Sequence, residues 1–365
     1  MVDLPKTMKA LVCYAPHDYR LEEVETPTPG PEEVVIKVEA CGICAGDVKA
    51  YHGSAESFWG GGINPPWIKA PVIPGHEFIG TVAALGPGAR EKYGLEIGDR
   101  AISEQIVPCW RCRYCKTGHY WMCEVHNIYG FQKEVHGGMA EYMKFTKDAI
   151  NYKVPKTIPA REAAMIEPLS CSIHAVERAD IQLGDVVVIS GAGPLGLGMV
   201  AVSRLRAPGK LIVLDLKPNR LELAKKLGAD MVINPKEDDA IAIVKDLTGG
   251  YGCDVYIEAT GHTSSVIQGL QMIRKLGTFV EFSVFSDPTT VDWSIIGDRK
   301  ELNLFGAHLS PYCYPKAIDY IANGSVPVSD IVTHAFPLEQ YKEAFEKMGS
   351  GEDSIKVVLM PSLLV

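Results

Sequence analysis

Hydrophobic and polar positions change their rhythm part-way along this chain. Before residues 155–185 the sequence is rich in Gly and Pro and carries short alternating stretches. From Val34 to Ala40, Val35, Lys37 and Glu39 alternate with Ile36, Val38 and Ala40. That period of two predicts a half-buried strand. After the transition, strand and helix patterns alternate. Val186 to Ile189 is a continuous β-branched run, as expected of a strand buried on both faces. A glycine turn follows, then a helical stretch from Leu195 to about Arg206 and a strand from Leu211 to Leu214. Asn219 is placed to cap a helix through Leu227, stopped by Gly228. Val232-Ile233, Val255–Ile257 and Thr278–Phe282 read as further strands. Ala240–Leu247 and Ser264–Leu276 read as helices. This order predicts a parallel, doubly wound α/β sheet. The tail is mixed, and its pattern does not assign it to either part.

Gly191-Ala192-Gly193-Pro194-Leu195-Gly196 follows the first of these strands and opens a helix. That context makes G-x-G-x-x-G a dinucleotide fingerprint. The first glycine permits the turn, the second admits a pyrophosphate, and the third lets helix and strand approach. The helix N-terminus offers free N–H groups to the phosphates. Asp215 ends the next strand, where a carboxylate accepts ribose hydroxyls and repels a 2′-phosphate. Leu216 follows it, with Arg220 further into the helix, so NAD is expected over NADP. The competing reading is an ordinary βα turn with a solvated Asp215.

Composition adds limits. The chain has 365 residues, length enough for two domains, with 47% hydrophobic and 22% charged residues. No apolar run reaches the roughly 20 residues of a bilayer span. A net charge of −9 lacks the basic footprint of a general nucleic-acid binder. No leader pattern precedes the first domain, so a reducing, cytoplasmic setting is expected. Ten cysteines then call for explanation. Cys109, Cys112, Cys115 and Cys123 follow C-x2-C-x2-C-x7-C, a spacing suited to a closed four-thiolate zinc site. Disulfides are the alternative. Cys13, Cys41, Cys171, Cys253 and Cys313 show no pairing pattern and read as small buried hydrophobes.

Three further pieces carry metal-ligand chemistry: Cys44 in Gly42-Ile43-Cys44-Ala45-Gly46-Asp47, His76-Glu77 after Pro74-Gly75, and Glu167 before Pro168. Each also has a structural reading: a buried thiol, a surface carboxylate, a helix cap. Spacing alone does not bring them together. The combination resembles the zinc-dependent medium-chain dehydrogenases, the alcohol and polyol dehydrogenase family. The matching motifs run along almost the whole chain. The resemblance implies a β-rich, chaperonin-10-like (GroES-like) catalytic domain from residues 1–166 and 305–365, with a zinc lobe at about 104–125. It implies a Rossmann NAD-binding domain at 167–304. By position, Cys44 and His76 are catalytic-zinc ligands. Glu77 is a direct ligand in the polyol branch and lies behind the ligands in others. Glu167 stands where many alcohol dehydrogenases carry cysteine and where sorbitol- and threonine-dehydrogenase-like members carry glutamate. Two zinc ions per chain are therefore expected, one catalytic and one structural.

Stretches at 104–109, 167–172, 291–296 and 306–309 are similar to bacterial erythritol/L-threitol dehydrogenases. The expected reaction is oxidation of a secondary hydroxyl of a small polyol to a ketose, with hydride transfer to NAD. An L-threonine 3-dehydrogenase or another sugar-alcohol dehydrogenase is the nearest alternative, and a non-enzymatic nucleotide-binding scaffold the remote one. Homodimers or homotetramers are common in the family. Gly46 departs from the family's Ser or Thr, which relays the substrate proton, and Lys49 from its frequent His. The segment between Cys44 and His76 carries Tyr51, Phe58, Trp59, Gly60-Gly61-Gly62 and Trp67. It reads as a pocket wall or as a packed surface loop. Tyr51, Phe58, Trp59 and His308 are candidate substrate contacts.

Overall fold

The computed structural model describes residues 4–54, 56–60 and 66–363. Gly61 and Gly62 lie outside them. The chain divides into two compact units, residues 1–167 with 310–365, and residues 168–309. The dividing point falls two residues into the helix Ile166–Ala179.

The first unit is built on a seven-stranded sheet. Its strand Val34–Gly42 pairs antiparallel with Glu77–Leu85, Tyr142–Phe145 and Lys356–Leu359. Residues near both ends of the chain thus share one sheet. The strand is more buried than its alternation predicts. Val34, Val35 and Ile36 are all buried, while Lys37 is exposed. A register shift between Val35 and Ile36 interrupts the two-residue period.

The second unit contains β1 (Val186–Ser190), α1 (Pro194–Arg204), β2 (Lys210–Leu214), α2 (Pro218–Lys226) and β3 (Met231–Ile233). It continues with α3 (Ala240–Leu247), β4 (Cys253–Glu258), α4 (Thr263–Met272), β5 (Ile273–Glu281) and β6 (Asn303–Gly306). The strands are parallel in the order β3-β2-β1-β4-β5-β6. The order reverses between β1 and β4, so a ligand crevice is expected outside their carboxyl ends. Val187, Val188 and Ile189 are fully buried, as the apolar run requires.

Two boundaries differ from the sequence pattern. Helix α2 starts at Pro218 with Lys217 at its N-cap, so Asn219 lies in the first turn and caps nothing. Proline's fixed φ suits the first helical position. Helix α4 stops at Met272, four residues before Leu276. Ile273 turns extended and pairs with Cys253 of β4. Lys300 Nζ then takes the carbonyls of Leu270, Gln271 and Ile273 at 2.6, 3.1 and 2.6 Å. The apolar spacing that looks helical belongs partly to the start of a strand.

Candidate active site

Cys44 is the N-cap of the helix Ala45–His52. Its Sγ accepts from Gly46 N at 3.4 Å, and the Asp47 carboxylate accepts from Cys44 N at 2.9 Å. This reciprocal cap fixes the thiol at the helix start. His76 and Glu77 are delivered by Gly75, whose φ is +95°. A β-carbon on Gly75 would stand 2.6 Å from Cys41 Sγ. Gly42 lies opposite Glu77 in the sheet register, and a β-carbon there would overlap Glu77 Oε2. Two glycines therefore clear the space that lets His76 and Glu77 reach Cys44.

The donor atoms of Cys44, His76 and Glu77 all lie within 4.8 Å of one another. Glu167 does not join that group, yet it is close enough to act electrostatically on His76 and Lys356. Glu167 is itself buried. His76 Nδ1 stands 3.7 Å from the Asp47 carboxylate and has no hydrogen-bond partner. Burial opposes its charge, but Asp47, Cys44 and Glu167 hold its pKa well above the ordinary value. Lys356 is 2% exposed and donates to both Glu77 oxygens, at 2.7 and 2.5 Å, and to Ile43 O at 3.1 Å. Burial works against this ammonium too, while Glu77, Cys44 and Glu167 hold its pKa above the usual lysine value. Cys44, Asp47, Glu77 and Glu167 thus gather around Lys356 and His76. Buried anionic donors in excess suit a divalent cation.

Asp47 and Lys356 belong to this cluster and were missed by sequence reading. Both left a signal. Asp47 sits three residues after Cys44, at capping-box spacing. Lys356 is the one charge in the run Ile355–Met360, and a charge in an apolar strand requires a partner. Removing only the cation should be costly. Lys356→Met leaves Glu77 charged and buried, with an expected loss of about 3–5 kcal/mol. The Glu77→Gln/Lys356→Met pair should recover much of it. Denaturant unfolding of both variants checks this, and equal losses would contradict it.

The second thiol group is equally compact. Cys109, Cys112, Cys115 and Cys123 present sulfurs within 4.8 Å of one another. Cys109 N donates to Cys123 Sγ at 3.2 Å and Cys112 N to Cys109 Sγ at 3.4 Å. Backbone N–H groups of Cys115 and Glu124 bring the Cys112 thiol down to about 6. All ten cysteines are unbridged, so the disulfide alternative has no support in the geometry. The lobe is tied to its unit through Tyr120, whose hydroxyl donates to buried Glu104 at 2.9 Å and accepts from Tyr312 N at 2.8 Å.

In the second unit the three glycines separate by role. Gly191 has φ +104°, and a β-carbon there would lie 2.8 Å from Ala259 O. A β-carbon on Gly196 would overlap Gly191 O. Both are required by the fold itself. Gly193 is not: the nearest atom to its β-carbon position is an Arg220 guanidinium nitrogen 4.0 Å away. The space above Gly193 is open and bordered by a cation, as a bound pyrophosphate needs. Pro194 and Leu195 open α1 here. Asp215 accepts from Ala192 N at 2.7 Å and from Lys217 N at 2.9 Å, which locks the carboxylate beside the glycine turn.

Residues 30–156 match the model of the alcohol dehydrogenase GroES-like domain, and residues 194–323 that of the zinc-binding dehydrogenase domain. The erythritol/L-threitol dehydrogenase of Mycolicibacterium smegmatis is 54% identical, over 98% of this chain and 99% of that one. The chain belongs to the zinc-binding dehydrogenases. It is an oxidoreductase of their alcohol and polyol class. The sorbitol dehydrogenase of Bacillus subtilis is 33% identical over 98% of this chain and 99% of its own length. A solved zinc-binding dehydrogenase from Sinorhizobium meliloti, bound to NADP, superposes with a TM-score of 0.86. It is 27% identical and covers 98% of this chain and 100% of that one.

The first unit of this dehydrogenase is accordingly GroES-like, and the second is its Rossmann domain. The candidate substrate residues fall in different surroundings. Phe58 is buried, and its Cζ lies 3.5 Å from the β-carbon position of Gly46, beside Cys44. Trp59 Nε1 donates to Ala50 O at 2.8 Å and so fastens its segment to the helix Ala45–His52. Tyr51 sits among His17, Tyr19, His52 and Phe345. His308 lies in the Rossmann domain, half-buried just after β6. Sequence reading also missed Phe131, whose ring is 5.3 Å from His76.

Proposed function

We propose that this dehydrogenase oxidises a secondary hydroxyl of a small polyol, a tetritol such as erythritol or L-threitol, to the ketose with NAD. The observation that carries the reading is the convergence of Cys44, His76 and Glu77 in a buried, anion-rich site. Zinc held there supplies Lewis acidity toward a substrate hydroxyl, and NAD supplies the hydride acceptor. Cys44 and His76 are the ligands proposed to hold the metal. Glu77 adds carboxylate charge while Lys356 orients it, and Glu167 adds a further carboxylate close by. Asp47 orients His76 from its Nδ1 side. Cys109, Cys112, Cys115 and Cys123 are proposed to hold a second, structural zinc, with no open position for substrate.

In the Rossmann domain, Gly191, Gly193, Pro194, Leu195 and Gly196 form the pyrophosphate turn. Arg220 supplies positive charge beside it. Asp215 is proposed to receive the ribose hydroxyls, because a carboxylate with two oxygens already held by backbone keeps further lone pairs. The same charge disfavours the 2′-phosphate that the Sinorhizobium protein's NADP carries. Ten unbridged cysteines support a reducing, cytoplasmic setting. Strand β6 is an open edge of its sheet with Leu304 exposed, which supports assembly as a homodimer or homotetramer.

A panel of tetritols, pentitols, simple alcohols and L-threonine, assayed for NADH or NADPH, tests the reading. Tetritols with NAD should give the highest kcat/KM. A preference for L-threonine would overturn the substrate, and a preference for NADP would overturn the role of Asp215. Gly46 raises a separate question. A β-carbon there meets Phe58 Cζ at 3.5 Å and Cys44 Sγ at 3.7 Å, ordinary contacts. Gly46→Ser should therefore fold normally and keep or raise turnover by adding a relay hydroxyl. Lost turnover with full zinc content would show that the proton leaves by another route.

A further inference from the structure

The GroES-like domain carries an aromatic wall that the zinc and cofactor sites do not account for. Trp67 is at its centre. Its ring stacks on Phe58 at 5.7 Å and 11°, on Phe131 at 5.2 Å and 24°, and on His126 at 5.4 Å and 14°. Phe58 and Phe131 also stack on each other at 5.8 Å. One end of the wall reaches the candidate metal ligands. Phe58 abuts Gly46 beside Cys44 Sγ, and Phe131 lies against His76. Gln132 holds the wall in place: its Nε2 donates to Trp67 O at 2.9 Å and its Oε1 accepts from Ile128 N at 2.6 Å.

A structural role explains the stacking but leaves one atom over. Trp67 Nε1 is enclosed and has no hydrogen-bond acceptor among the described residues. Trp59, nearby in sequence, has an acceptor in Ala50 O. An enclosed N–H without a partner costs about 1–3 kcal/mol, and a phenylalanine at position 67 would keep a ring in the stack without that cost. The donor is therefore left for an acceptor other than those the described residues supply.

We propose that Trp67 is a specificity-determining residue whose indole N–H donates to a hydroxyl of the polyol that is not the one oxidised. The proposal rests on the polyol reading above. The reacting carbon sits by Cys44 and His76, at the end of the wall where Phe58 and Phe131 meet the candidate ligands. A polyol presents further hydroxyl oxygens to a donor, which a simple alcohol of equal length cannot do. A site built to bond a hydroxyl rejects analogues without it, because its own polar group is left unpaired.

The test compares Trp67→Phe with the parent enzyme on a tetritol and on butane-2,3-diol, which has the same carbon count without terminal hydroxyls. The ratio of kcat/KM values, tetritol over diol, should fall by about tenfold to a hundredfold in the variant, mainly through KM for the tetritol. Without substrate the variant loses packing through its smaller ring, offset in part by removal of an unpaired donor, so the melting temperature should change little. A purely structural Trp67 would leave the ratio unchanged, and that result overturns the proposal. If the parent enzyme oxidises other alcohols but no polyol, the polyol reading fails and the proposal falls with it. If tetritols are turned over and only the ratio is unmoved, the assignment of Trp67 alone fails. Should the variant not fold, ¹⁵N-indole spectra of the parent enzyme with NADH decide. The Trp67 resonance, placed by its contacts to the Phe58 and Phe131 rings, should shift with tetritol and not with the diol. No shift overturns the proposal.

Discussion

Cys44→Ser should abolish most polyol-dependent NADH formation in a protein that still folds. The hydroxyl of serine can still cap the helix Ala45–His52, because it accepts from a backbone N–H as well as a thiolate does. What it cannot supply is a soft anionic ligand for zinc at neutral pH. The expected loss is on the order of a thousandfold or more, comparable to removing a principal electrostatic group from an active site. Zinc content should fall from about two to about one per chain, and the melting temperature should change little. Turnover persisting in zinc-depleted Cys44→Ser would end the zinc-assisted proposal. A large fall in melting temperature would mean that Cys44 is structural instead.

Cys112→Ser should show the converse pattern. The thiol group at 109–123 organises a segment with little regular structure, a four-residue helix and a single 3-10 turn. Such a segment has few apolar contacts to hold it, and Trp110, Tyr114, Met122 and Val125 are exposed on it. Metal binding there contributes directly to folding. With one thiolate removed, the lobe should loosen and release Tyr120 from Glu104 and Tyr312. The melting temperature is expected to fall by about 10 °C or more, with soluble yield reduced. Whatever protein remains folded should keep Cys44, His76 and a measurable turnover. Calorimetry with zinc analysis checks this, and an unchanged melting temperature at reduced zinc would contradict it.

The sequence by itself determined a large part of this enzyme. The β-branched run of β1, the glycine turn and Asp215 can be read directly, because each requirement is local in the chain: a buried strand, a tight turn, a carboxylate at the next strand end. The four lobe cysteines lie within fifteen positions, so their spacing alone brings them together. Family resemblance supplied the grouping of Cys44 with His76, which spacing could not. Tertiary structure decided the rest. Lys356 reaches Glu77 only because the strand Lys356–Leu359 pairs with Val34–Gly42, and Gly42 yields the space for that carboxylate. A register shift between Val35 and Ile36 breaks the alternation there, a condition the strand's own pattern does not record. Helix α4 ends at Met272, where Lys300, distant in sequence, takes the carbonyls of Leu270, Gln271 and Ile273. The open space at Gly193 and the unpaired indole of Trp67 are likewise properties of neighbours distant in sequence. Local patterning fixes which groups the chain offers. Only long-range pairing fixes which of them face one another, and so which are satisfied by the protein and which are left for a ligand.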